Sequence, residues 1–208
     1  MAHPDRSIEK IDKEFLMAHG LITARIACQL RDEYEPKGFQ ILSGHGDKTT
    51  DPPDRIGKLR AYYSDRYGAA SLLADLDIAI ATPNQQAIAL IEIEETTFKP
   101  KVILGDALAT LLGSAVRFGR HDWYIGEWTT LIIMAHGSRE RRQGRMAYLE
   151  DQINQMKTTL STTNAKASVA VRAFQEESDL FEALRGQINL AVERFAGIEQ
   201  IGLAQESG

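Results

Sequence analysis

Asp75-Leu76-Asp77-Ile78-Ala79-Ile80-Ala81, then Thr82-Pro83-Asn84-Gln85-Gln86, then Ala87-Ile88-Ala89-Leu90-Ile91-Glu92-Ile93-Glu94-Glu95, reads as two apolar strands joined by a turn at Pro83-Asn84. Both strands are apolar on both faces, the pattern of strands buried in a covered sheet. Acids nevertheless sit inside them. Side chains alternate with period two, so Asp75 and Asp77 share one side of the first strand, and Glu92 and Glu94 share one side of the second. Carboxylates gathered in an apolar setting lose their water and repel one another, which is costly unless a cation or hydrogen bonds compensate. Where local pattern and local chemistry conflict in this way, function is the first explanation to test.

Upstream, residues 7–34 carry apolar side chains at helical spacing, with a candidate interruption at Gly20 and a stop at Pro36-Lys37-Gly38. A short strand at 39–42 and a polar loop at 43–54 follow; His45 in that loop reads as solvated, with a role in lining a site as the second choice. Residues 55–68 interleave Arg55, Lys58, Arg60 and Arg66 with Tyr62, Tyr63 and Tyr67. They read as a surface helix with half-buried tyrosines, although such a mixture also suits phosphate contact and base stacking.

Downstream, Pro100 opens a helix that runs to about Val116 and is apolar around most of its circumference. Residues 119–127 read as a loop. Residues 128–135 form a buried strand ending at His136, after which Arg139, Arg141, Arg142 and Arg145 crowd the start of a further helix. Cations there oppose the helix dipole, so capping does not explain them; a phosphate clamp and a solvated basic turn both do. A strand at 169–174 and a helix from Ser178 to a stop at Gly197 complete the order. The expectation is one domain over 1–208: an N-terminal helical segment at 7–36, a core at 37–175, and a C-terminal helix with a loose tail at 176–208. A hairpin followed by strand–helix–strand crossovers implies an α/β fold with a mixed central sheet and helices on both faces.

An acid at the head of a buried strand, a turn, and an apolar strand ending in acid-x-acid resembles the PD-(D/E)XK, or restriction endonuclease-like, nuclease core. Asp77 stands at the position of that family's first acid and Glu92-Ile93-Glu94 at its (D/E)-x-K. Two departures stand out: Leu76, not proline, precedes Asp77, and Glu94 replaces the lysine. The resemblance implies a metal-dependent nuclease, most simply an endonuclease hydrolysing phosphodiester bonds in DNA with Mg²⁺ or Mn²⁺. Asp77 and Glu92 would hold the metal, with Asp75 as an additional or alternative ligand. Glu94, or Lys99 or Lys101 near the start of the next helix, would position or deprotonate the nucleophile. Arg139, Arg141, Arg142, Arg145 and His136 would meet nucleic acid. The alternative is a nuclease-fold protein without activity, serving as a nucleic-acid-binding or assembly subunit. The missing lysine and the net charge of -5 point that way. A homodimer, or a subunit of a larger restriction or repair system, fits either reading.

Composition is that of an ordinary globular chain, and 208 residues suffice to bury a core. The single cysteine, Cys28, reads as a small buried hydrophobe and fits a reducing compartment. The first residues lack the apolar core of a signal peptide, and no run is long enough for a bilayer, so the expectation is a cytoplasmic protein without membrane contact.

Overall fold

The computed structural model describes residues 20–45, 57–64, 67–94, 100–136, 139–159 and 167–206. Helix α1 (Leu21–Tyr34) leads through a 3₁₀ turn into β1 (Gln40–Ser43). Strands β2 (Leu59–Tyr62), β3 (Leu72–Leu76), β4 (Ile78–Ala81) and β5 (Ala87–Glu94) precede α2 (Pro100–Leu112). Then come β6 (Ala115–Phe118), β7 (His121–Tyr124), β8 (Thr130–His136), α3 (Arg139–Thr159), β9 (Ser168–Phe174) and α4 (Glu177–Glu206).

The central sheet has five strands in the order β1-β4-β5-β8-β9. β1, β4 and β5 form an antiparallel meander, while β5, β8 and β9 run parallel with α2 and α3 in the crossovers. The sheet is therefore mixed. β4 and β8 are central and nearly unbroken in burial, as the continuous apolar runs require. One face packs on α2 and α3 through Ile103, Ala107, Leu111, Met146, Leu149 and Ile153. The other packs on α1 and α4 through Ile26, Leu30, Leu184 and Ile188, all at helical spacing. The two outer helices are also joined by a bidentate pair, Arg25 Nε and Nη2 to the Glu177 carboxylate at 2.8 and 2.6 Å. The turn between β4 and β5 closes with Gln85 N–H donating to Thr82 O, and Gln85 takes φ of 62°.

A second, four-stranded antiparallel sheet, β3-β2-β6-β7, corrects four local expectations. Residues 59–62 are a strand, not part of a surface helix. The helix from Pro100 stops at Leu112, and its expected last turn is instead the start of β6; β6 and β7 then form a hairpin where a loop was expected. The stretch 75–81 is not one strand, because it leaves the small sheet at Leu76 and enters the central sheet at Ile78. The small sheet turns Leu59, Ala61, Leu76, Val116, Phe118 and Trp123 onto the α2/α3 side of the core. Trp123 Nε1 donates to Gln40 Oε1 at 3.2 Å, tying it to β1.

Cys28 is exposed on α1, against the expectation of burial. Residues 7–19 of the expected N-terminal helix lie outside the described residues, and α1 begins immediately after Gly20. Among the described residues no helix is long and apolar enough to cross a membrane.

Candidate functional site

The site grows from the β4–β5 register. Ile78 pairs with Ile91, and one further antiparallel step sets Asp77 opposite Glu92. Ala79 and Leu90 belong to the α2/α3 side of the core, while Ile78 and Ile91 belong to the other side. Alternation therefore aims Asp77 and Glu92 to the same face, with Glu94 two residues further along it. Asp77 lies at the junction of the two sheets and is only 8 % exposed. Its Oδ2 accepts the Ile93 backbone N–H at 2.8 Å, and its Oδ1 lies 2.9 Å from His45 Nε2.

Gly44 places that histidine. Its N–H donates to Asp77 O at 2.8 Å, and a Cβ on it would lie 2.5 Å from Leu76 O, so this crossing of chains admits only glycine. The His45 N–H donates to Ser43 Oγ at 3.2 Å, and Gly20, at φ of 86°, lies against the other ring nitrogen.

Glu92 has no comparable support. As a residue it is partly covered, yet its Oε1 is sealed from solvent and has no hydrogen-bond partner among the described residues. Its carboxyl is pushed well above the ordinary range, first by burial and then by the charges of Asp77, Asp106, Glu94 and Asp75. All four of these charges have its own sign. Asp106, half-buried on α2 next to Ala107, completes the group; burial, then Glu94 and Asp77, push its carboxyl up to about 6.

The expected residues divide as follows. Asp77, Glu92 and Glu94 are brought together. Asp75 is drawn off: it sits in the small sheet and is exposed, with its Oδ1 3.0 Å from Arg60 Nε. Among the charges acting on Glu92, that of Asp75 is the weakest. Lys101 is exposed in the first turn of α2, and Lys99 lies outside the described residues. The His136 ring packs edge-on against Phe174, 5.4 Å away, on the α1/α4 face and so away from the acids. Arg145 is exposed on α3, whereas the side chains of Arg139, Arg141 and Arg142 lie outside the described residues. The backbone of α3 nevertheless starts three residues beyond β8, and β8 ends beside β5, where Ala135 pairs with Glu94.

Sequence reasoning missed Asp106 and underrated His45. The signal for Asp106 was present: it is the one acid in an otherwise apolar helix. His45 carried no signal, since its partner is brought to it only by the crossing at Gly44.

Among the described residues no set of three or more His, Cys, Asp and Glu is arranged to hold a metal ion. The donor chemistry is instead two hard oxygen donors, one of them an orphaned buried carboxylate atom. That suits a cation such as Mg²⁺, which keeps most of its waters and needs only one or two carboxylates. It does not suit Zn²⁺, which prefers nitrogen and sulfur ligands in a closed tetrahedron. The chain matches no family model, no curated protein and no solved structure.

Proposed function

We propose that this chain is a Mg²⁺- or Mn²⁺-dependent nuclease of the PD-(D/E)XK kind, hydrolysing phosphodiester bonds, most simply in DNA. The observation that carries the reading is Glu92 Oε1: buried, without a partner, opposite Asp77, and surrounded by described charges of its own sign. A bound cation would offset the desolvation and mutual repulsion of these carboxylates. The mixed five-stranded sheet flanked by helices supports the reading at the level of fold class.

Asp77 and Glu92 would hold the ion. Bound there, a divalent cation makes its water more acidic and offsets the charge of the scissile phosphate. His45 and the Ile93 N–H keep Asp77 in its rotamer. Asp106, with its proton affinity near neutral pH, is suited to take the proton of the attacking water. Exposed Lys101 is the weaker candidate, and Glu94 supplies further negative charge beside the pair. Attack forms one P–O bond and breaks another; the water proton passes to a carboxylate on this face, and the leaving oxygen takes a proton from solvent.

The inactive, nucleic-acid-binding or assembly alternative is favoured by the lack of a described lysine among the acids and by the net charge of -5. Calorimetric titration with Mn²⁺, run beside a cleavage assay on linear and circular DNA, separates the two. The nuclease reading expects saturable Mn²⁺ binding lost in Asp77→Asn, and cleavage lowered more than about 100-fold in Glu92→Gln, since even outer-shell partners of a metal are worth 10–100-fold. Equal heats for wild type and Asp77→Asn, or unchanged cleavage in Glu92→Gln, rejects it.

A further inference from the structure

The small sheet turns a row of charges outward. Arg60 pairs with Asp75 on one side and with Arg117 on the other, and Arg117 pairs with Asp122. The two arginines are therefore direct cross-strand neighbours, an arrangement that repels unless an anion lies between or above them. The flanking acids do not fill that role. Asp75 is shared by Arg60 at 3.0 Å and Lys58 at 3.9 Å, and Asp122 lies 3.6 Å from Arg117 on the far side. Three cations meet two carboxylates, which leaves a positive surplus at the centre of the row.

That centre is a cleft of about 490 Å³ lined by Lys58, Arg60, Arg117, Tyr62, Tyr67 and Leu72 among others. Its volume lies within the range of small-molecule sites. The aromatic side is prepared as well. Arg117 is stacked over the Tyr67 ring at 4.2 Å, and the Tyr62 and Tyr67 rings meet edge-to-face at 5.0 Å. Stacking orders the guanidinium in advance and leaves its N–H edge for bidentate contact with a phosphate. Burial, with hydrogen bonding to Asp122 as the second cause, pushes the Tyr67 phenol up to about 12, so it stays neutral and does not repel an anion. β3 forms one edge of this sheet and ends at Leu76, immediately before Asp77, so Asp75 and Asp77 are only two positions apart in the chain.

We propose that this cleft is a nucleotide subsite that takes one phosphate on Lys58, Arg60 and Arg117 and the adjacent base against Tyr67, whose ring is backed by buried Tyr62, from a single strand that leads to the Asp77–Glu92 pair. The strand's destination rests on the nuclease reading; the cleft's ligand chemistry does not. A base inside a duplex has its faces covered, so a tyrosine ring in a cleft selects an unpaired one. The substrate class becomes single-stranded DNA, or a frayed or flapped end, in place of intact duplex.

The test is fluorescence anisotropy in EDTA, where no cleavage occurs, with a labelled oligodeoxythymidylate of about 12 nucleotides, within the usual footprint of such sites. A duplex of the same length and free dTMP are the comparison probes. Wild type is expected to bind the single strand more tightly than the duplex or dTMP. Tyr67→Leu should weaken single-strand binding by about 5- to 150-fold, the worth of one stacked base. Lys58, with its side chain 69 % exposed, can be changed without disturbing the core. Lys58→Gln should lower the slope of log K against log salt by about 0.7, one phosphate on a single strand. Arg117→Lys should keep that slope and lose affinity, because it retains charge without the stacked fork. Single-strand binding unchanged in both Tyr67→Leu and Lys58→Gln overturns the proposal. So does dTMP binding as tight as the oligonucleotide, which would make the cleft a free-nucleotide site. Asp77→Asn should still bind the strand. If it does while neither Mn²⁺ binding nor cleavage is found, the cleft stands and the nuclease reading falls; intact cleavage with indifferent cleft variants gives the reverse.

Discussion

Glu92 and Asp106 are the residues at which this protein forgoes stability. A buried carboxylate without a partner costs free energy, and both carboxyls are held above their ordinary range, chiefly by burial. Removing the charge while keeping the shape should therefore help the metal-free fold. Glu92→Gln is expected to raise the melting temperature in EDTA at pH 8 by roughly 2–4 °C, the equivalent of about 1 kcal/mol for a chain of this size, while abolishing cleavage. Asp106→Asn should act in the same direction and leave Mn²⁺ affinity nearly intact, but shift the pH profile of cleavage by removing a group that titrates at about 6. Scanning calorimetry and pH–rate profiles on the two variants check both outcomes. A destabilised Glu92→Gln would mean that Oε1 accepts an ordinary hydrogen bond in the folded protein. Such a trade of stability for activity is common at functional sites.

At the scale of elements, the decisive feature is the strand switch at Asp77. A continuous strand would have put Asp75 and Asp77 on one face of one sheet. Because the chain changes sheets between Leu76 and Ile78, Asp75 joins Arg60 outside and Asp77 alone turns to Glu92. Gly44 guards the crossing. Gly44→Ala would drive a methyl against Leu76 O, at 2.5 Å in the present backbone, and should cost about 1–3 kcal/mol, the usual price of overpacking. Urea unfolding measures the loss. Cleavage should fall by more than that loss explains, since His45 is displaced with the loop. A second hinge of the sheet is buried Thr129 at the entry to β8. Its hydroxyl donates to Ala87 O at 2.7 Å and accepts the Gly126 N–H at 3.0 Å. Thr129→Val leaves both groups unpaired and should destabilise by about 1–3 kcal/mol without altering metal affinity.

For the whole molecule, the acid group makes stability depend on pH in a definite direction. The folded state holds protons on Glu92 and Asp106 more tightly than the unfolded chain does. Their contribution is fully present below the ordinary carboxylate values, 3.8 for Asp106 and 4.5 for Glu92, and is lost as pH rises through the folded values, about 6 for Asp106 and well above the ordinary value for Glu92. A divalent cation reverses this, because it binds the deprotonated pair. Mn²⁺ at about a hundred times its Kd should add about 2.7 kcal/mol, roughly 5–10 °C in Tm, at pH 8, and much less at pH 5, where protons compete. Differential scanning fluorimetry at the two pH values checks it. An equal shift at both would place the metal away from these carboxylates.

The alternating and continuous apolar runs were enough to read the presence of β5, β8, β9 and the helices that follow them, because a strand or helix buried on a given face announces itself by its own period; the bounds were less legible, since α2 stops at Leu112, short of the expected Val116, and α4 runs to Glu206, past the expected stop at Gly197. The same runs made the conflict at Asp77, Glu92 and Glu94 visible, since charge inside an apolar strand is a local anomaly. Residues 55–76 and 115–124 were not legible: their strands are four or five residues long and carry charges between buried positions, and only their partners across the small sheet decide between strand, helix and loop. Nor could sequence separate Asp75 from Asp77, or bring His45 and Asp106 to the acid pair. Those assignments depend on a change of sheet, a backbone crossing at Gly44 and the rotation of α2. Each is a long-range contact between segments distant in the chain, and local periodicity carries no record of such contacts.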